Sequence, residues 1–141
     1  MIEISGDYII VLPDNIEWSE APRGMPTGYE QAMIKGNPRV REVFTFRAKI
    51  QANWKAMPHF HPADEHITIL EGSGYIGFGE EYNEEIAVEM PKGAFITVKA
   101  GSVHYFFTRG LCVIQVHGMG PQKITYINID DDPRNSAMLS K

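Results

Sequence analysis

Apolar and polar positions alternate cleanly from residue 41 onward. Val43, Thr45, Arg47 and Lys49 share one parity, and Phe44, Phe46, Ala48 and Ile50 share the other. A period of two sends successive side chains to opposite faces, which predicts a half-buried strand. Further strand-type runs lie at 66–70, 75–78, 86–90, 95–98, 103–107, 112–117 and 124–129, separated by turn-forming residues such as Gly72, Gly74, Gly79, Pro91, Gly93, Gly101, Gly110 and Pro121. The first 40 residues are different. Ile9, Ile10, Val11 and Leu12 stop at Pro13, and Pro22, Gly24, Pro26, Gly28, Gly36 and Pro38 then break the chain every few positions. This predicts one strand followed by loops, with 29–34 open between a short helical turn and a strand. No long amphipathic helix and no internal repeat is visible. Many short strands at near-regular spacing predict an all-β sandwich or barrel.

A length of 141 residues fits a single domain. The expected division is an N-terminal strand with loops (1–40), a barrel core (41–129) and a tail (130–141) that is either loose or a short docking piece. The formal net charge is −5, which argues against a surface that grips phosphates, so no nucleic-acid partner is expected. No apolar run approaches the ~20 residues needed to span a bilayer, so no membrane partner is expected either. The N-terminus lacks a basic start before its short apolar run, and a cytoplasmic location is the expectation. Cys112 is the only cysteine. That excludes an intrachain disulfide and a thiolate-rich metal site, and leaves a buried structural thiol as the reading for Cys112.

The five histidines change the picture, because all of them fall between 59 and 117: His59, His61, His66, His104 and His117. On a strand, residues i and i+2 share a face about 6.6 Å apart. Two imidazoles at that separation can converge on one ion through bonds of about 2.1 Å. On a helix the same spacing points the rings apart. Glu65 can join His59 and His61 only if the chain turns at Pro62, Ala63 and Asp64, so that the carboxylate returns from the start of the next strand. The rival reading is a helix opening at Pro62, against which the β-branched run after His66 speaks. His104 opens an aromatic strand and can face the pair across a barrel. His66, next to Glu65, points to the opposite face and reads as structural. Three imidazoles and one carboxylate form a site for one divalent transition metal, whether iron, manganese, nickel, cobalt, zinc or copper.

These residues resemble the two motifs of the cupin superfamily. His59, His61, Glu65 and Gly72 match the first in spacing, with Asn53 where the motif opens on Gly. Gly93, Gly101 and His104 match the second, with Lys99 in place of Pro and Thr108 in place of Asn. The segments 58–72, 91–95, 113–121 and 131–134 are similar to small single-domain bacterial cupins related to the cupin domain of ChrR-type anti-sigma factors. The resemblance implies an all-β double-stranded β-helix (a jelly-roll cupin barrel), a divalent metal in the barrel and a homodimer.

Gln115 and His117 share one face of the 112–117 run, and Ile114 and Val116 share the other. If the polar face looks inward, Gln115 and His117 back the metal ligands or touch substrate; if outward, they are ordinary surface residues. Two functions compete, beside a third reading in which the metal only holds the barrel shut. One is a metal-dependent enzyme, a dioxygenase-like oxidoreductase or an isomerase acting on a small oxygenated molecule. The other is a non-catalytic module that senses a small ligand, a metal or an oxidant.

Overall fold

The computed structural model describes residues 2–4 and 6–135. Its strands are β1 (Ile2–Ile4), β2 (Ile9–Val11), β3 (Ser19–Glu20), β4 (Tyr29–Lys35), β5 (Val43–Ile50), β6 (Lys55–Phe60), β7 (Glu65–Glu71), β8 (Gly74–Phe78), β9 (Val88–Met90), β10 (Phe95–Val98), β11 (His104–Phe107), β12 (Cys112–Met119) and β13 (Thr125–Tyr126). β1 and β2 form a separate two-stranded ladder. The remaining strands build a six-stranded sheet in the order β10-β7-β12-β5-β4-β3 and a five-stranded sheet in the order β13-β6-β11-β8-β9. From β5 onward the chain changes sheet at every connection except β8 to β9. This winding, antiparallel within each sheet, is the double-stranded β-helix anticipated above.

The core lies between the two sheets, and the alternation along β5 shows why. Phe44, Phe46, Ala48 and Ile50 are buried, whereas Thr45, Arg47 and Lys49 are only half-buried. Facing them from the five-stranded sheet are Ala56, Ile76 and Phe106. A fully buried Phe such as Phe44 stabilises the sandwich by about 1.5–3 kcal/mol relative to an exposed one. The fully buried Tyr105 donates its hydroxyl hydrogen bond to the Asn83 carbonyl at 2.7 Å, so this aromatic is not left with an unpaired polar atom.

Several local expectations shift. The segment left open at 29–34 is a strand, β4, paired on both sides by β3 and β5. The run expected at 86–90 is strand only over β9, because residues 84–86 form a 3₁₀ turn whose Glu85 N–H is capped by the Asn83 side chain. The run at 124–129 shrinks to the two residues of β13, with a further 3₁₀ turn at Ile129–Asp131. β6 has no alternating run of its own because Pro58 sits in it. Pro58 has no N–H to give, but its carbonyl accepts from Ile127 N–H at 3.0 Å. The first half of the tail docks: the Arg134 guanidinium binds Asp132 and the Ile124 carbonyl at 2.9 Å. Residues 136–141 lie outside the described residues.

Candidate metal centre

Strand pairing brings the first two histidines together. His59 on β6 and His104 on β11 are direct cross-strand partners, with ring centroids 4.3 Å apart. His61 stands just past the end of β6. Its ring lies 5.1 Å from that of His59 and 5.3 Å from that of His104. One nitrogen of each ring lies within 4.8 Å of the others, so the three histidines are positioned to bind a metal ion. All three are buried.

The chain turns after His61 as the strand-turn-strand reading requires, and no helix opens at Pro62. The turn is fastened from across the barrel mouth. Gly101 N–H donates to the His61 carbonyl at 2.8 Å, and Ala100 N–H donates to Asp64 Oδ1 at 2.8 Å. Gly101 sits at φ 77°, the left-handed region that favours glycine, which explains its place in the motif. Asp64 is occupied by this contact and faces away from the cluster. Glu65 opens β7, is buried, and brings Oε1 to 3.4 Å from His61 Nε2. It adjoins the three-histidine cluster at one corner.

Two of the three departures from the motif, Asn53 and Thr108, also have structural reasons. Asn53 adopts φ 62°, a conformation asparagine tolerates better than other side-chain-bearing residues, so it serves where glycine was expected. Thr108 Oγ1 donates to the Gln51 carbonyl at 2.6 Å and accepts from Trp54 N–H at 3.1 Å, tying β11 to the loop before β6.

Hydrogen bonds fix the tautomer of every ring in the cluster. His59 Nδ1 meets the Met57 carbonyl at 2.6 Å, His104 Nδ1 meets the Ser102 carbonyl at 2.9 Å, and His61 Nδ1 meets the Lys123 carbonyl at 2.9 Å. A carbonyl oxygen can only accept, so each Nδ1 carries a proton, and in a neutral ring that leaves the lone pair on Nε2. This is how metal-bound histidines are usually oriented. Burial, reinforced by the neighbouring rings of His104 and His61, pushes the His59 pKa down to about 2. Burial likewise lowers that of His104. Both rings are therefore held neutral. His61 Nε2 lies 3.4 Å from a Glu65 carboxylate oxygen in a buried setting, an arrangement that a proton or a cation between them stabilises. The donor set thus fits a metal ion on its own geometry.

The cluster faces a small inner chamber of about 60 Å³ whose walls include Ile76, Phe106, Ile114 and Val116. Met25, Phe46, His61 and Glu65 also line a wider outer vestibule of about 490 Å³. The inner-facing residues of β12 are therefore Ile114 and Val116. The expectation that Gln115 and His117 back the ligands or touch substrate is not met, because they lie on the outer face of the six-stranded sheet. Gln115 Oε1 accepts from Arg47 Nε at 3.0 Å, and Arg47 is its cross-strand partner. His117 stacks on His66, also its cross-strand partner, with centroids 4.8 Å apart. His66 takes the structural position expected of it, bonded to Thr97 Oγ1 at 2.9 Å.

Sequence reasoning missed the carbonyls that orient the rings, and Tyr29 in the chamber wall. Two carbonyls had a readable signal: Met57 and Ser102 each stand two residues before their histidine. The Lys123 carbonyl, 62 residues from His61, had none.

No family model matches the chain. Among curated proteins, acireductone dioxygenase of Drosophila pseudoobscura pseudoobscura is 26% identical over 90 residues, which cover 55% of this chain and 48% of that protein. The matched region thus spans about half the length of that relative. Among solved structures, the polyketide cyclase RemF from Streptomyces resistomycificus superposes with a TM-score of 0.74 at 17% identity, covering 92% of each chain. An RmlC-like cupin from Shewanella frigidimarina gives a TM-score of 0.62 at 11% identity, over 77% of this chain and 87% of that one. The chain has the cupin fold, an all-β jelly-roll barrel. Within that barrel it carries three buried histidines positioned for a metal.

Proposed function

We propose that this protein binds one divalent transition metal through His59, His61, His104 and Glu65, and acts on a small oxygenated organic molecule by oxidative cleavage or isomerisation. One observation carries this reading: three buried imidazoles each give an Nδ1 proton to a backbone carbonyl and bring one ring nitrogen apiece within 4.8 Å of the others. The ligand set suits iron, manganese, nickel, cobalt, zinc or copper. When bound, the metal supplies Lewis acidity toward a carbonyl or enol oxygen and, if redox-active, access to oxygen chemistry. The chain's own residues supply the rest. Three neutral rings and one carboxylate leave a divalent ion with positive charge to spare, which favours an oxygen-rich head group. The apolar chamber walls exclude water and weaken screening there. Tyr29 also lines the chamber; its hydroxyl donates to Gln31 Oε1 at 3.0 Å, and burial raises its pKa so that it stays protonated.

The similarity to proteins named as a dioxygenase and a polyketide cyclase supports an enzyme acting on small molecules. A second reading, a sensing module without turnover, draws on the narrowness of the inner chamber, which admits a head group and not a whole substrate. Elemental analysis of protein purified without added metal, followed by oxygen uptake and product analysis with a diketone and catechol panel, tests the proposal. Stoichiometric metal and turnover that disappears on chelation are expected. Metal binding that shifts oligomeric state, with no turnover of any panel member, favours the sensor. The homodimer is also proposed, supported by the exposed Val88 and Phe95 on the edge strands β9 and β10. No helix among the described residues is long and apolar enough to cross a membrane.

A further inference from the structure

We infer that the molecule received by this site is an organic anion with an apolar body, recognised by a cationic vestibule built on Arg23, Arg39 and Lys123. The inference rests on the reading above only in taking the three-histidine cluster as the place its head group reaches.

The outer vestibule opens directly over His61 and Glu65. Four of the chain's 13 Lys and Arg residues line it, against one of its 18 Asp and Glu residues. In a protein of net charge −5 this is a local reversal of sign on a concave surface. The single acid is Glu65, whose carboxylate is turned to His61. Of the four cations, Arg134 is engaged by Asp132. Arg23, Arg39 and Lys123 are in no ion pair among the described residues. A solvated surface normally mixes both signs. A cleft lined by one sign between low-dielectric walls instead focuses its potential on an incoming counter-ion.

The rim is also built into the site. Gln122 N–H donates to the Pro38 carbonyl at 2.7 Å, so the turn carrying Arg39 is tied to the segment carrying Lys123. The Gln122 side chain bridges to the backbone of Ala63, in the turn between His61 and Glu65. Lys123 holds the His61 ring through its own carbonyl. Arg39 and Lys123 are thus linked through short bonded paths to the residues that orient the cluster. Two guanidinium groups suit a carboxylate or enolate, which they grip in paired hydrogen bonds. Met25, Met33 and Phe46 supply the apolar part of the lining. The vestibule's volume of about 490 Å³ fits a drug-sized organic molecule, and the inner chamber of about 60 Å³ fits only its head group.

The test uses 2-naphthoate and its neutral counterpart 2-naphthamide, titrated calorimetrically into the full chain, metal-free and zinc-loaded, at low and at physiological salt. Naphthoate is expected to bind about 10-fold or more tightly than naphthamide, and the margin is expected to narrow with salt. Arg39→Gln and Arg23→Gln are each expected to weaken naphthoate roughly 5–10-fold and leave naphthamide unchanged. Equal affinity for the two probes, binding of neither, or no loss in the Arg23→Gln/Arg39→Gln double variant overturns the inference. A chain that takes up zinc but shows no preference for naphthoate loses the anion inference and keeps the metal reading. A chain that prefers naphthoate but binds no zinc keeps the inference and loses the metal.

Discussion

The five histidines divide into an inner group and an outer group, and each contains a direct cross-strand pair. His59 faces His104 across β6 and β11, inside the barrel. His66 faces His117 across β7 and β12, on the outer surface. The inner rings are buried, give Nδ1 to backbone carbonyls and converge on one point with His61. The outer rings are half-buried, stack on each other, and His66 leans against Phe95. Residue type and pairing are the same in both groups. The face of the sheet decides the difference: inside, desolvation and carbonyl acceptors prepare a lone pair, and outside, a ring is merely a flat surface to pack.

The largest expected contrast is in metal affinity. Replacing His59, His61 or His104 with Ala should weaken zinc binding by about 100-fold or more, whereas His66→Ala and His117→Ala should change it by less than about 2-fold. Competition titration against a chelating dye measures both. Equal effects from the two groups would abolish the distinction.

Stability offers the next test. Saturating zinc at about 100 times its dissociation constant should stabilise the fold by about 2.7 kcal/mol, which raises Tm by roughly 10 °C. The outer variants should keep this shift in a thermal melt, and the inner variants should lose it.

A smaller effect comes from the inner face of β12. A Cβ added at Gly118 would lie 2.7 Å from the Asp64 carbonyl, in the turn that delivers Glu65. Gly118→Ala should cost about 1–3 kcal/mol in denaturant unfolding and weaken zinc as well. The outward-facing His117→Ala, one residue away, should do neither.

The smallest effect is the acid response of the metal-free chain. The folded His59 stays neutral because its pKa is lowered from 6.5 to about 2. Below about pH 6.5 the unfolded chain takes up a proton that the folded chain refuses, so stability falls as pH falls. The loss attributable to His59 is about 1.4 kcal/mol per pH unit, accumulating from pH 6.5 downward. His59→Phe should flatten the dependence measured by urea midpoints at pH 7 and pH 5.5, and an unchanged slope would argue against a desolvated ring.

Much of the fold was legible. The alternation at 43–50 predicts β5 residue for residue, and the runs at 75–78, 95–98 and 103–107 fall within one residue of β8, β10 and β11. β6 was hidden, because Pro58 and the two histidines carry no apolar rhythm, although the His-x-His spacing already required an extended backbone there. The candidate site was legible as a set of ligand types, since His59, His61, Glu65 and His104 could be named from spacing and motif. The orientation of Gln115 and His117 was not legible. The parity of β12 says that they share a face, but not which face meets the other sheet.

The sequence by itself determined the two-residue period, the turns that cut it, and the ligand types placed at strand ends, because these depend on local backbone geometry and side-chain chemistry. Only the tertiary structure decided which side of each strand is the inside, which carbonyls receive the imidazole protons, and how Arg23, Arg39 and Lys123 come to ring one opening. Those outcomes depend on contacts between distant segments, such as the bond from the Tyr126 hydroxyl to the Gly24 carbonyl 102 residues away, and such contacts exist only once the two sheets have closed on each other.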